Sequence, residues 1–116
     1  MSIRITHDAF RTPAEADAGV ARAGLLRMEL DVAPVENGSH WHDFDAELYV
    51  LSGDLDFTDV AEGKTHTCRS GTRIVVPRGA LHAERSRGGY RIIFGTSVPP
   101  ERFGDPVNRP PEWPRG

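Results

Sequence analysis

Short alternations of apolar and polar residues, cut roughly every ten residues by Gly, Pro, Asn or Asp, constrain this chain most, because only strands turn successive side chains to opposite faces. Leu26, Met28, Leu30 and Val32 fall on one face and Arg27, Glu29 and Asp31 on the other, which predicts a half-buried strand. Pro34 and Asn37-Gly38 end it. Residues 47–51 form a short apolar run, Ser52-Gly53-Asp54 supplies a turn, and Leu55 and Phe57 resume the alternation. Glu62-Gly63 and Ser70-Gly71 bracket a Thr-rich strand, residues 74–76 run into Pro77-Arg78-Gly79, and His82 opens the next strand. After the turn at Arg87-Gly88-Gly89, Tyr90, Ile92 and Phe94 share one face of a closing strand. The pattern predicts an all-β sandwich or barrel, and 116 residues suffice for one such core and not for two.

The ends read differently. Ile3 and Ile5 suggest an edge strand, and the alanine-rich stretch after Pro13 suggests a short helix stopping before Gly24. Six of the nine prolines lie between Pro99 and Pro114, so this tail cannot pair inside a sheet. It is expected to lie extended along the body or a partner chain, anchored by Phe103 and Trp113.

Charge and cysteine usage exclude several function classes. A net charge of -3 argues against nucleic acid, whose phosphates call for clustered Lys and Arg. Residues 1–63 hold 13 acids and 4 bases while residues 64–116 hold 4 acids and 10 bases, so the two halves are expected to meet with opposite charges. No run of eighteen apolar residues and no charged-then-apolar leader is present, and the expectation is a soluble, cytoplasmic protein with no membrane partner. The lone Cys68 can form no intramolecular disulfide and is expected to act as a small buried apolar residue.

Against that background the histidines stand out. His40-x-His42 is followed by Pro77-x-Gly79-x-x-His82, using three of the five histidines. Two histidines one residue apart on a strand face the same side, and a third from a later strand closes a metal site. Imidazole suits zinc, copper, iron and nickel, and an unfilled coordination shell lets a bound metal act on a substrate. His7 and His66 lack partners at such spacing and are expected at the surface. Trp41, between the ligands, should turn away from them into a core or dimer contact. Glu84 and Ser86 share the parity of His82, which places them at the cavity. Glu84 is then a candidate general base, the plainer alternative being a solvated charge at the barrel mouth. Tyr49, Phe57, Tyr90 and Phe94 supply aromatic walls or core. Asp43 and Asp45 are either solvated turn-formers or a spare carboxylate.

These residues resemble the two histidine motifs of the cupins. The second motif, Gly-x5-Pro-x-Gly-x2-His-x3-Asn, is met by Gly71, Pro77, Gly79 and His82, with Ser86 in place of asparagine. The first, Gly-x5-His-x-His-x3or4-Glu-x6-Gly, is met by His40, His42 and Gly53, with Pro34 in place of the opening glycine. Counting forward from His42 puts its glutamate at Glu47, and counting back from Gly53 puts it at Ala46. One residue of slip reverses the facing, so Glu47 points inward only if a bulge absorbs the difference.

The resemblance implies a double-stranded β-helix, or jelly-roll barrel, over about residues 25–97. A short N-terminal arm precedes it and an extended tail, 98–116, follows, all in a single domain. It implies one divalent metal on His40, His42 and His82, with Glu47 as a possible fourth ligand. Iron comes first, by similarity to three-histidine cupin dioxygenases, with manganese, zinc and nickel as alternatives. The expected function is metal-dependent dioxygenase, isomerase or lyase chemistry on a small organic molecule. The alternative is a non-catalytic sensor that binds such a molecule. Cupins commonly pair through their barrels, so a homodimer using the N-terminal strand or the tail is also expected.

Overall fold

The alternation read from the sequence becomes nine strands in two antiparallel sheets, in a computed structural model that describes residues 2–115. The strands are β1 (Arg4–Thr6), β2 (Leu26–Val32), β3 (Val35–His40), β4 (Ala46–Gly53), β5 (Leu55–Asp59), β6 (Lys64–Cys68), β7 (Arg73–Val76), β8 (His82–Ser86) and β9 (Tyr90–Thr96). One sheet runs β1-β7-β4-β9-β2 and the other β3-β8-β5-β6. Their inner faces close on a shared core, to which Leu48, Val50 and Ile74 contribute from the first sheet and Leu55, Phe57 and Cys68 from the second. This is the all-β jelly-roll expected, and β1 is the edge strand predicted around Ile5.

One α-helix among the described residues, α1 (Pro13–Arg22), covers part of the outer face of the five-stranded sheet, and a short 3-10 turn spans Pro100–Arg102. Its start is fixed by a capping box. Thr12 Oγ1 accepts from the Glu15 amide at 3.2 Å, and the Glu15 carboxylate accepts from the Thr12 amide at 3.2 Å. Pro13 occupies the first turn, where its missing N–H costs nothing. Ala16, Gly19 and Val20 face inward onto Phe10, Tyr49 and Ile93, a second and smaller apolar cluster.

Two irregularities position the candidate site. Between β3 and β8, Asn37 pairs with Glu84 and His40 with His82, so one extra residue on β3 forms a bulge that brings His40 opposite His82. In β4 the register against β9 shifts only between Val50 and Ser52. Residues 46–50 therefore alternate regularly, with Ala46, Leu48 and Val50 inward and Glu47 and Tyr49 outward.

The charge asymmetry resolves as expected. Arg73 pairs with Glu47, Arg78 and Arg109 with Asp43, and Arg91 with Glu29, each joining a base of the second half to an acid of the first.

The tail lies on the chain's own barrel. Trp41 and Arg109 exchange backbone hydrogen bonds at 2.9 and 3.0 Å, and Trp41 Nε1 donates to the Pro110 carbonyl at 3.1 Å. The Arg109 guanidinium sits over both Trp41 and Trp113, and that of Arg115 lies 4.4 Å from the Trp41 ring centroid. Trp41 is thus buried as core, under the tail. Phe103 stacks on Phe44 with centroids 4.4 Å apart.

Candidate metal centre

His40 ends β3, His82 opens β8, and His42 follows two residues after His40 on the extended segment that the Trp41–Arg109 bridge holds in place. Their ligand-capable nitrogens all lie within 4.8 Å of one another. In each ring Nδ1 is committed to a backbone carbonyl: His40 to Gly38 at 2.7 Å, His82 to Ala80 at 3.0 Å, and His42 to Val107 at 2.9 Å. A carbonyl can only accept, so each Nδ1 carries the proton and each Nε2 offers a lone pair to the shared centre, the arrangement that prepares histidines as metal ligands. Phe57 stacks on His82 and Phe44 on His42, which fixes the ring planes. Gly79 adopts φ +82°, and its amide donates to the His42 carbonyl at 3.0 Å, tying the motif glycine to the ligand segment.

Burial works against the charged form of two rings. It lowers the pKa of His42 and pushes that of His82 down to about 4. His40 goes the other way: burial opposes its charge, but the contact with Glu84 and the Gly38 carbonyl outweigh it and the net shift is upward. Burial likewise works against charge on Glu84, and the neighbouring His40 reverses it, leaving its carboxyl below the usual range.

Glu84 sets a carboxylate against these nitrogens. Its Oε1 lies 3.2 Å from His40 Nε2 and 4.0 Å from His82 Nε2, and its Oε2 accepts from the Tyr90 hydroxyl at 3.3 Å. The 3.2 Å separation is short enough for a hydrogen bond. In the tautomer that Gly38 imposes, however, His40 Nε2 is an acceptor facing another acceptor. Among the described residues it is one of two buried side-chain polar atoms with no hydrogen-bond partner, Arg109 Nε being the other. An orphaned lone pair in a cluster of three such nitrogens, beside a carboxylate, is satisfied by a proton or a cation between them. The residues present therefore fit a divalent metal.

The centre opens into a cavity of about 240 Å³ inside the barrel. Phe57, Tyr90 and Phe94 line it as expected, whereas Tyr49 lies on the other side of the sheet under α1. Ser86 points elsewhere. Its hydroxyl donates to the Asp54 carbonyl at 2.8 Å and accepts from the Gly89 amide at 3.0 Å, holding the turn into β9. Larger hollows lie on the outer surface, among them two of about 560 Å³ beside α1 and beside β1, and none of them is lined by His40, His42 or His82.

Glu47 corrects an expectation. The structure does not bring it to the metal centre, because no bulge precedes it in β4. Its carboxylate stays outside the barrel, accepting from Tyr49 Oη at 2.8 Å and Arg73 Nη2 at 2.9 Å. Ala46 is the inward position, and the carboxylate beside the histidines comes from β8 through Glu84. Asp43 and Asp45 are likewise engaged, with Arg78 and Arg109 and with the Arg78 amide at 2.8 Å. His7 is exposed and His66 half-buried, both away from the cluster. The tail's part in the site went unforeseen: Phe103, Val107 and Asn108 form one wall of the cavity.

A family model described as a cupin domain matches residues 26–94. No curated protein matches the chain. Among solved structures, a protein from Neisseria meningitidis is 27% identical over 60% of this chain and 70% of its own, with a TM-score of 0.51. The polyketide cyclase RemF from Streptomyces resistomycificus is 27% identical over 66% of this chain and 56% of its own, at 0.51. KdgF from a Halomonas species is 16% identical over 86% and 84%, at 0.54, a likeness of fold.

Proposed function

The chain belongs to the cupin domain family, and we propose that it is a metal-dependent enzyme acting on a small organic molecule. His40, His42 and His82 hold one divalent cation and Glu84 handles a proton beside it. The observation that carries this reading is the buried His40 Nε2, without a hydrogen-bond partner and facing Glu84 within the cluster of imidazoles. When bound there, a divalent cation polarises an oxygen of the substrate and makes its proton easier to remove.

The chain's own residues supply the rest. Three backbone carbonyls hold the rings in the ligating tautomer. Tyr90 fixes Oε2 of Glu84, leaving Oε1 at the centre to accept a proton from a substrate O–H or C–H and to return it. The apolar walls keep water from competing for that proton. An inward, half-buried Glu84 at the histidines is what favours an enzyme over a sensor, since a binding module needs no positioned base. RemF, a cyclase similar in this region, is an instance of such a barrel used for catalysis. Iron is our first choice of metal, with manganese, zinc and nickel next, and dioxygenase, isomerase or lyase type describes the chemistry. We read the partner as a small molecule and the working form as a cytoplasmic homodimer, without nucleic acid or membrane. Among the described residues no helix is long and apolar enough to cross a bilayer.

The test is to strip the protein with chelator, reload it with Fe(II), Mn(II), Zn(II) or Ni(II), and measure dioxygen uptake and turnover on catechols, keto acids and diketones. Turnover that needs the metal and falls at least tenfold in Glu84→Gln is expected. Metal binding without turnover on any of these would favour the sensor, and failure to bind any ion would remove the proposal.

A further inference from the structure

The cavity's lining says what kind of molecule it takes. We infer that the ligand is a compact, uncharged and largely apolar ring compound with oxygen at one end, and that Phe103 of the C-terminal segment sets its size. The inference takes the histidine end as the reacting end, and so rests on the function proposed above.

Size comes first. At about 240 Å³ the cavity lies just below the range of ~300–1,000 Å³ typical of sites for drug-sized ligands, leaving room for one or two small rings. Polarity comes second, and it is segregated. The polar lining consists of His42, His82, Glu84, Tyr90, Asn37 and Asn108. These group together: Tyr90 bonds Glu84, Asn37 is the strand partner of Glu84, and Asn108 follows the residue whose carbonyl holds His42. The remaining walls are aliphatic and aromatic, with Phe44, Phe57, Phe94 and Phe103 presenting ring surfaces.

Charge comes third. The sequence contains 14 Lys and Arg residues, and none lines this cavity. Arg109, which follows the lining residue Asn108, is instead engaged with Asp43, Trp41 and Trp113. A phosphate ester or dicarboxylate would bury a fixed negative group among apolar side chains, with no cationic side chain to meet it and a carboxyl group close by. A cation at the histidines could satisfy one oxygen at that end and not a second anionic group farther along.

Phe103 closes this space from outside the barrel strands, stacked on Phe44 and edge-on to Phe94 with centroids 6.5 Å apart. Its bulk therefore decides how long a ring system fits.

The experiment titrates full-length protein, metal-free and Ni(II)-loaded, by calorimetry with phenol, 2-naphthol, 2-naphthyl phosphate and glucose 6-phosphate. We expect 2-naphthol to bind at least about tenfold tighter than its phosphate ester. Phe103→Trp should weaken 2-naphthol about tenfold while leaving phenol within about twofold, and Phe103→Leu should leave the order of ligands unchanged. A phosphate that binds as tightly as 2-naphthol overturns the inference, and so does a protein that binds none of the four. If the preference for 2-naphthol appears equally in metal-free protein and no Ni(II) is taken up, the metal reading fails and the ligand class stands.

Discussion

Replacing Glu84 with Gln should change the metal-free protein in opposite directions at high and low pH. Above the titration of His40, its Nε2 lone pair faces a carboxylate oxygen 3.2 Å away, with neither atom able to donate. A buried polar atom without a partner costs about 1–3 kcal/mol. In Glu84→Gln the amide can donate to His40 Nε2 while its carbonyl oxygen still accepts from Tyr90. At about pH 8 the chelator-stripped variant should therefore be more stable by about 1 kcal/mol, a rise of about 3–5 °C in Tm for a chain of this size.

In acid the sign reverses. His40 has a raised pKa in the folded state, because its contacts with Glu84 and Gly38 overcome the opposing effect of burial. The His40–Glu84 ion pair thus contributes stability that is fully present below the ordinary 6.5 and is lost as pH rises through the higher folded value. Gln cannot form that pair, so at about pH 5 the variant should be the less stable by about 1–2 kcal/mol. The same substitution should weaken Ni(II) or Zn(II) binding about 10- to 100-fold. Urea unfolding of both stripped proteins at the two pH values and calorimetric metal titration read these effects. A variant equally destabilised at both pH values, with unchanged metal affinity, would refute the reasoning.

Other consequences follow from the same geometry. Gly19→Ala gains about 1 kcal/mol of helix propensity, but the new Cβ collides with Tyr49 Oη, which hydrogen bonds to Glu47 and Arg73 hold in place. Overpacking costs about 1–3 kcal/mol, so urea unfolding should show a net loss of about 1 kcal/mol, and a gain would contradict it. Burial pushes the His82 pKa to about 4, so the unfolded chain takes up that proton first as pH falls from the ordinary 6.5. The stripped protein should thereby lose about 3 kcal/mol between those values. His82→Asn should flatten that part of the pH profile, and an unchanged slope would count against the buried neutral ring.

The strands were legible because alternation is a local signal. The histidine cluster was legible because motif spacing and strand parity agree on His40, His42 and His82. Glu47 illustrates where spacing stops short: its direction depends on where β4 bulges, and the shift falls after Val50, beyond the reach of a residue count. Parity did mark Glu84 as facing inward. Its burial, the result of Tyr90 and the histidines packing around it, follows only from the assembled barrel. Least legible was the tail. The group that holds His42 is the Val107 carbonyl, and a backbone acceptor leaves no mark on residue identity. Phe103 could be read as an anchor from its bulk, but that it anchors onto the cavity depends on the Trp41–Arg109 bridge, which joins residues far apart in sequence.

The most direct measurement is the metal content of the purified protein by elemental analysis, taken beside that of His42→Ala. His42 is half-buried while His40 and His82 are buried, so its removal disturbs the packing least of the three. We expect a single divalent ion per chain in the native protein and little or none in the variant, with both equally folded. Equal metal content in the two proteins, or none in the native protein after growth and reloading with all four metals, would contradict the claim that these histidines form a metal centre.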